Sequence, residues 1–368
     1  MYEKRWLKNC VFCANVCIFA FESYKQPMKR ITIIDIAEAL NITPSTVSRA
    51  LAGNLRVSES TRRRVMDKAR ELGYQPNIVA ASLRKGKSDT IGMMVPRINR
   101  HFFSHVISAV EEVLNPAGYN LLICQSHERV LREEQAINVL LKNRVAGIIM
   151  SHAMEMSDFS HILKATSENI PVVQFDRVTK QVPGPRIIND NFSGGYMAVK
   201  HLIRSGYKRI GHLTGSLSVN VYQDRFRGYK YALDEASMLI DATHTYQGAI
   251  TRDTALNCAR ELLEKHQVDA IFCAGDYAAI GAMEAIREKG LKVADDIGVV
   301  GFANEPFADI ISPGLTTVEQ NAYEIGIRAA NSLIQLISRS GYTAIQTEDV
   351  VPVRLLVRDS SMKNGSNV

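Results

Sequence analysis

The residues of this 368-residue chain best suited to chemistry lie in one short run, Thr43-Pro44-Ser45-Thr46-Val47-Ser48-Arg49. It supplies small hydroxyl donors and one guanidinium, and no Asp or Glu occurs anywhere between Glu38 and Glu59. The positive end of a helix dipole ordinarily attracts a carboxylate, so an acid-free helix start has another use. A donor-rich amino end suits phosphate oxygens and the acceptor edges of bases in a duplex major groove. Taken alone, the same Ser and Thr residues read as caps and surface. Their neighbourhood decides. Residues 28–88 hold twelve Lys/Arg against five Asp/Glu, a local charge of +7 in a chain whose net charge is +6. Residues 1–27 add +2 and the remaining 280 carry −3. Positive charge gathered in one segment points to a polyanion partner.

The elements that must position this run can be read around it. Thr32 stands three residues before Asp35 as a capping box, and Ile33, Ile36, Ala37 and Leu40 follow at helical spacing. Asn41 tolerates the left-handed conformation of a tight turn. Thr43-Pro44 then gives an N-cap with proline at the first helical position, and Val47 and Leu51 mark the inner side of a second helix. Gly53-Asn54 ends it. Ser58 caps a third helix with Val65, Ala69 and Leu72 buried, closed by Gly73. Two helices joined by a three-residue turn, with a third packed behind, make a helix-turn-helix plan. After Tyr74-Gln75-Pro76 come Asn77, Ala80, Ala81 and Leu83 among basic residues. This segment reads either as a linker or as a short helix, ordered on DNA, whose Leu83 wedges into the minor groove.

The sequence from Thr32-Ile33-Ile34-Asp35-Ile36-Ala37 through Thr46-Val47-Ser48-Arg49-Ala50-Leu51, Arg56-Val57-Ser58-Glu59-Ser60-Thr61-Arg62 and Leu72-Gly73-Tyr74-Gln75-Pro76-Asn77 to Ala80-Ala81-Ser82-Leu83 closely resembles the headpiece of the lactose-repressor (LacI/GalR) family. The resemblance continues to about residue 358. It implies a dimeric repressor reading a palindromic operator, with Pro44, Ser45 and Arg49 at base-reading positions and Leu83 as the intercalating hinge leucine. The DNA-facing set expected here is Thr32, Thr43, Pro44, Ser45, Thr46, Ser48, Arg49, Asn54, Ser58, Tyr74, Asn77, Ala80 and Leu83.

Beyond residue 88, short apolar runs at 90–95, 119–124, 147–150, 171–175, 209–213, 269–273 and 297–302 alternate with amphipathic helices such as that of Val106, Val110, Val113 and Leu114. Such alternation predicts parallel sheets wrapped by helices. The pattern occurs twice, before and after Asn191, giving two doubly wound lobes with a ligand cleft at the strand carboxyl ends. The resemblance likewise implies a periplasmic-binding-protein-like core. The expected layout is an extension 1–27, a headpiece 28–76, a hinge 77–88, a core 89–358 and a polar tail 359–368. Within the core, lobe 1 takes 89–190 and 321–347, lobe 2 takes 191–318 and 348–358, and the crossings lie near 188–191, 317–322 and 345–350.

Ligand groups belong on the loops after strands: Phe102 and Phe103, which stack on a sugar ring or staple a helix, then Asp176, Arg177, Asp190, Arg225, Asp276 and Asn304. Asp276 reads equally as a cap. Arg225 offers a planar fork for hydroxyls or a carboxylate, and falls on the family's effector-binding arginine. Ala303 stands where the family commonly has an aspartate, moving that contact to Asn304 or Glu305, and Val219 and Val221 replace polar contacts of some relatives. The effector is therefore expected to be a small sugar or a sugar acid, such as a uronate.

Other classes find little in the residues. No apolar run reaches the ~20 residues of a spanning helix, so no membrane partner is expected. No dinucleotide, Walker or nucleophile-elbow motif is present, and His101 and His105 lack a third metal ligand, so neither enzyme activity, cofactor nor metal is expected. Lys4, Arg5 and Lys8 before the apolar stretch 10–21 outline a signal peptide, which would suit a periplasmic sugar-binding protein. The helix-turn-helix argues instead for a cytoplasmic protein starting at Met28. Cys124, Cys258 and Cys273 read as small buried hydrophobes.

Overall fold

The computed structural model describes residues 31–75, 88–154, 158–338 and 346–363. They fall into two units, Met1–Lys85 and Gly86–Val368. The extension 1–27 and the hinge positions Asn77, Ala80 and Leu83 lie outside the described residues.

The first unit consists of α1 (Ile33–Leu40), α2 (Pro44–Leu51) and α3 (Glu59–Glu71). Thr32 accepts from the Asp35 N–H, and the Asp35 carboxylate accepts from the Thr32 N–H at 2.7 Å, so each satisfies an orphan donor at the helix start. Asn41 closes α1 with a left-handed φ of 52°. Thr43 caps α2 and Ser58 caps α3. Ile36, Ala37, Val47, Ala50, Val65 and Ala69 close over one another as a small core. Ala50 is more deeply buried than the expected Leu51, which packs at the core's margin.

In the second unit, lobe 1 contains β1 (Thr90–Val95), α4 (His101–Leu114), β2 (Asn120–Gln125), α5 (Val130–Lys142), β3 (Gly147–Met150), α6 (Ser160–Ser167), β4 (Val172–Phe175) and β5 (Arg186–Asn189). Lobe 2 follows with α7 (Asn191–Arg204), β6 (Ile210–Leu213), α8 (Asn220–Glu235), β7 (Thr245–Tyr246), α9 (Arg252–Lys265), β8 (Ala270–Cys273), α10 (Asp276–Glu288), β9 (Gly298–Val300) and β10 (Thr317–Glu319). The chain then returns through α11 (Ala322–Ser338) and β11 (Glu348–Val351) and leaves through β12 (Arg354–Leu356). The lobe 1 sheet runs β11-β5-β4-β3-β1-β2 and the lobe 2 sheet β7-β6-β8-β9, each wholly parallel, while β10 and β12 pair antiparallel.

One expected boundary moves. Glu348–Val351 does not begin the last lobe 2 segment but completes the lobe 1 sheet, in register with Arg186–Asn189 and with Arg186 Nε 3.3 Å from Glu348. The third crossing therefore falls after Val351, at Pro352-Val353, and not at 347. This edge strand buries only Val351 completely, so it carries too weak an apolar signal to be read as a strand. The three crossings are tied to one another: Asn189 donates to the Gln320 carbonyl, and Asn321 Nδ2 to the Pro352 carbonyl at 2.7 Å.

Two glycines set the position of α8 on α7. A Cβ at Gly195 would stand 2.3 Å from the Arg225 carbonyl oxygen, and one at Gly228 would stand 2.2 Å from that of Phe192. This approach seats Arg225 beside Asn191, its Nε donating to Asn191 Oδ1 at 2.9 Å. Gly228→Ala is expected to lower unfolding free energy by about 1–3 kcal/mol or more, since backbone and not a flexible side chain must move. Denaturant melts of the two proteins measure this.

Lobe 2 also encloses His212, wholly buried between Phe272 and Tyr229 (ring centroids 4.8 and 5.0 Å) with Nδ1 donating to the Phe272 carbonyl. Burial pushes its pKa down to about 4 from 6.5. Between those values the unfolded chain binds the proton and the folded one does not, so stability falls as pH drops. The expected loss from pH 7 to pH 4 is about 3 kcal/mol from this group. His212→Phe should flatten that part of the stability–pH curve.

Candidate functional site

The exposed face of the first unit gathers around the start of α2. Thr43 Oγ1 lies 2.9 Å from both Ser45 Oγ and Thr46 Oγ1, so the helix start is a cluster of hydroxyls. No acidic residue enters its first turn. Thr32, Thr43, Pro44, Ser45 and Arg49 are exposed, and Thr46 and Ser48 are half-buried. Asn54 is exposed in the loop after α2, where its Oδ1 accepts the Arg56 N–H at 3.0 Å and shapes the turn. Ser58 is exposed at the start of α3. Tyr74 differs from its expected role in part, because its ring packs against the small core. Leu55, 92% exposed in the same loop, was not singled out by the sequence.

The second unit holds a cavity of about 130 Å³ between its lobes. Lobe 1 contributes Phe102 and Phe103 from the first turn of α4, Glu128 from the loop after β2, and Asp176 and Arg177 from the loop after β4. Lobe 2 contributes Val221, Tyr222 and Arg225 from α8, Asp276 from the start of α10, and Phe302 and Glu305 after β9. Of the eight expected ligand residues, Phe102, Phe103, Asp176, Arg177, Arg225 and Asp276 meet here. The phenylalanines line the cavity and also belong to the lobe 1 core.

Two expected residues stand elsewhere. Asp190 caps α7, accepting the Ser193 N–H at 3.0 Å. Asn304 spans Glu319 (2.7 Å) and Arg358 (2.9 Å), so its amide is spent on contacts within lobe 2. Neither lines the cavity. Arg97, Arg100, Glu128, Tyr222, Thr251 and Gln320 line it without having been expected. Glu128 and Arg97 follow strands, so applying the strand-end rule to β1 and β2 in full would have found them.

The charges are arranged in a definite way. Arg177 holds Glu128 bidentately, at 2.5 and 3.3 Å. Burial opposes its charge, but Tyr222, Glu128 and Asp176 overcome that and hold it firmly protonated. Arg225 has no such partner. Its Nη1 donates to the Ala274 carbonyl at 2.6 Å, and its plane lies 3.6 Å from the Phe302 ring centre. Burial lowers its pKa to about 10. Asp176 takes only a long 3.5 Å contact from Ser151 Oγ, and burial raises its carboxyl above the usual range. Asp276 accepts from Thr317 Oγ1 at 2.6 Å and the Glu305 N–H at 2.7 Å, and burial still raises it to about 6. Across the cleft mouth, Arg100 of lobe 1 stacks 3.8 Å over Tyr277 of lobe 2. Among the described residues no group of three His, Cys, Asp or Glu side chains is placed to hold a metal, and no helix is long and apolar enough to cross a membrane.

Both units match known protein families. Residues 32–77 match the bacterial regulatory proteins of the lacI family, and residues 88–356 match the periplasmic binding proteins and sugar binding domain of the LacI family. The chain is 33% identical over 311 residues to the HTH-type transcriptional repressor PurR of Histophilus somni, covering 84% of this chain and 93% of that one. The lac repressor dimer bound to operator and the anti-inducer ONPF superposes with a TM-score of 0.80 at 28% identity, covering 91% of this chain and all of that one. A transcriptional regulator CelR–cellobiose complex gives a TM-score of 0.69 at 28% identity, covering 90% and 100%. A headpiece that presents an acid-free helix to solvent, joined to a two-lobed core with a polar cavity, thus has its family: the chain belongs to the LacI family of bacterial transcriptional regulators.

Proposed function

We propose that this regulator is a repressor that binds a palindromic operator as a homodimer and releases or grips it according to a neutral sugar held between the lobes. The observation that carries the DNA half is the hydroxyl-rich, acid-free start of α2 with Arg49 exposed beyond it. In this reading Arg49 and Ser45 reach base edges, while Thr43, Thr46, Ser58 and the helix amino ends hold phosphates. Thr32, Ser48, Asn54 and Tyr74 support the same face.

The cavity favours a neutral ligand over a sugar acid. Its lining carries four arginines (Arg97, Arg100, Arg177, Arg225) and four carboxylates (Glu128, Asp176, Asp276, Glu305), so its charges balance without help. An added anion would upset that balance beside two buried carboxylates. A polyhydroxylated ring instead donates to Asp176 and Asp276, accepts from Arg225, and lays its apolar face on Phe102, Phe103 or Phe302. The regulator bound to cellobiose is a relative with a sugar in place. The ligand is a signal in this reading and not a substrate, and the protein works in the cytoplasm, where its DNA is.

Arg49→Ala should abolish preference for a palindromic operator over random duplex in fluorescence anisotropy, with the thermal midpoint unchanged because the side chain is exposed. In a thermal-shift screen of pentoses, hexoses, disaccharides, uronates and sugar phosphates, a neutral sugar should stabilise most. At about a hundred times its Kd it adds about 2.7 kcal/mol. Asp276→Asn should remove most of that gain. Greater stabilisation by a uronate or phosphate than by its neutral parent would overturn the neutral-ligand reading.

A further inference from the structure

Behind the cavity floor, outside the site just described, lies a buried cluster with one nitrogen out of place. Glu133 of α5 is wholly buried, with Oε2 accepting the Ala153 N–H at 2.6 Å and Oε1 lying 3.1 Å from His161 Nε2. His152, 4% exposed, stands against it with Nδ1 3.6 Å from the same Oε1. That Nδ1 has no hydrogen-bond partner.

The tautomer of His152 follows from its other neighbour. Gln174 Nε2 donates to the Val182 carbonyl at 3.0 Å, and its Oε1 accepts the Thr179 N–H at 2.8 Å, so the amide can stand only one way. His152 Nε2 lies 2.8 Å from that Oε1 and must therefore be the nitrogen that carries hydrogen. The neutral ring then points a bare lone pair at the Glu133 carboxylate, two acceptors face to face in a dry place. One added proton on Nδ1 turns that repulsion into a charge-assisted hydrogen bond.

The backbone of His152 joins this cluster to the lobe contact. Its carbonyl accepts from Arg177 Nη1 at 3.4 Å, and its N–H donates to the Arg177 carbonyl at 3.3 Å. Two residues on, Met154 packs against Val219, Val221, Tyr222 and Ala274 of lobe 2. Beside it, Asn220 of lobe 2 clasps lobe 1 twice, donating to the Asp176 carbonyl at 2.9 Å and accepting the Val178 N–H at 3.1 Å. Residues 151–154 and 176–178 thus form one seam with lobe 2, and Glu133 anchors it from behind through Ala153.

We propose that Glu133 and His152 are positioning residues forming a proton-operated brace: protonation of His152 Nδ1 ties the 151–154 segment to α5 and tightens the lobe seam. The charged groups facing the pair are known. Arg177 is neutralised by Glu128, Asp176 touches Ser151, and His161 already donates to Glu133. The brace therefore turns on His152 Nδ1, which faces the Glu133 carboxylate without a hydrogen-bond partner.

The test uses the full chain without ligand. Histidine ¹⁵N NMR at pH 8 should show His152 with hydrogen on Nε2 only, with Nδ1 gaining its hydrogen as the solution is acidified. Over the same acidification, the hydrogen-exchange protection of the Val178 amide, corrected for intrinsic rate, should rise roughly ten- to a hundredfold, the scale of one charge-assisted hydrogen bond. In Glu133→Gln, the amide oxygen keeps the Ala153 N–H and the amide N–H can meet Nδ1 at every pH, with His161 taking the tautomer that leaves its Nε2 bare, so protection should be high and pH-independent. A hydrogen on Nδ1 at pH 8 in the wild type overturns the proposal, whatever the variant does. So does a Val178 protection profile that keeps the same pH dependence in Glu133→Gln, which would place the switch in Asp176 or Asp276 instead. Neither result depends on the identity of the effector.

Discussion

Arg225 is a guanidinium removed from water with no carboxylate paired to it among the described residues, and the cleft is organised around that constraint. Isolated burial of such a charge is prohibitive, so its surroundings must supply compensation. They do so with the neutral oxygens of Asn191 and the Ala274 carbonyl, the face of the Phe302 ring, and the more distant fields of Asp176 and Asp276. These come from four different segments, Ala274 and Asp276 sharing one. Arg225 can occupy its place only if α7 and α8 touch at Gly195 and Gly228, and Asp176 reaches it only if lobe 1 stands against lobe 2. The folding of lobe 2 and the closeness of the two lobes are therefore written into the surroundings of one side chain.

The contrast with Arg177 explains why the cavity can be selective. Arg177 has a full bidentate carboxylate partner in Glu128 and serves as wall. Arg225 and Asp176, each short of hydrogen-bond partners, are the groups that a ligand can complete. Completing them links lobe 1 to lobe 2 through the ligand, and this is how a small molecule gains leverage over the geometry of a much larger body.

Much of this was legible in the sequence because the signals were local. The caps at Thr32, Thr43 and Ser58 and the turn at Asn41 depend on residues within four positions of one another, and short-range chemistry fixes them. Buried parallel strands such as Gly147–Met150 announce themselves as continuous apolar runs. The failures share the opposite property. Asp190 and Asn304 sit at strand ends just as Asp176 does, and only the direction of the side chain separates a cap or a brace from a ligand group. Glu348–Val351 is a strand because Arg186–Asn189 offers it an edge, which its own residues do not reveal. Glu133 looks like one more surface acid of an amphipathic helix, yet it is wholly buried because His161, His152 and Ala153, up to 28 positions away, fold over it.

The central claim is that one chain couples a groove-reading helix to a sugar-sized cavity. The most direct measurement is the reciprocal linkage between the two. Sugar affinity would be determined by calorimetry with and without saturating palindromic duplex, and duplex affinity with and without saturating sugar, at one salt concentration. The account predicts that both affinities change by the same factor, about 5–150-fold, as a coupling of ~1–3 kcal/mol requires. A sugar that binds the cavity tightly while both ratios stay at one would contradict it.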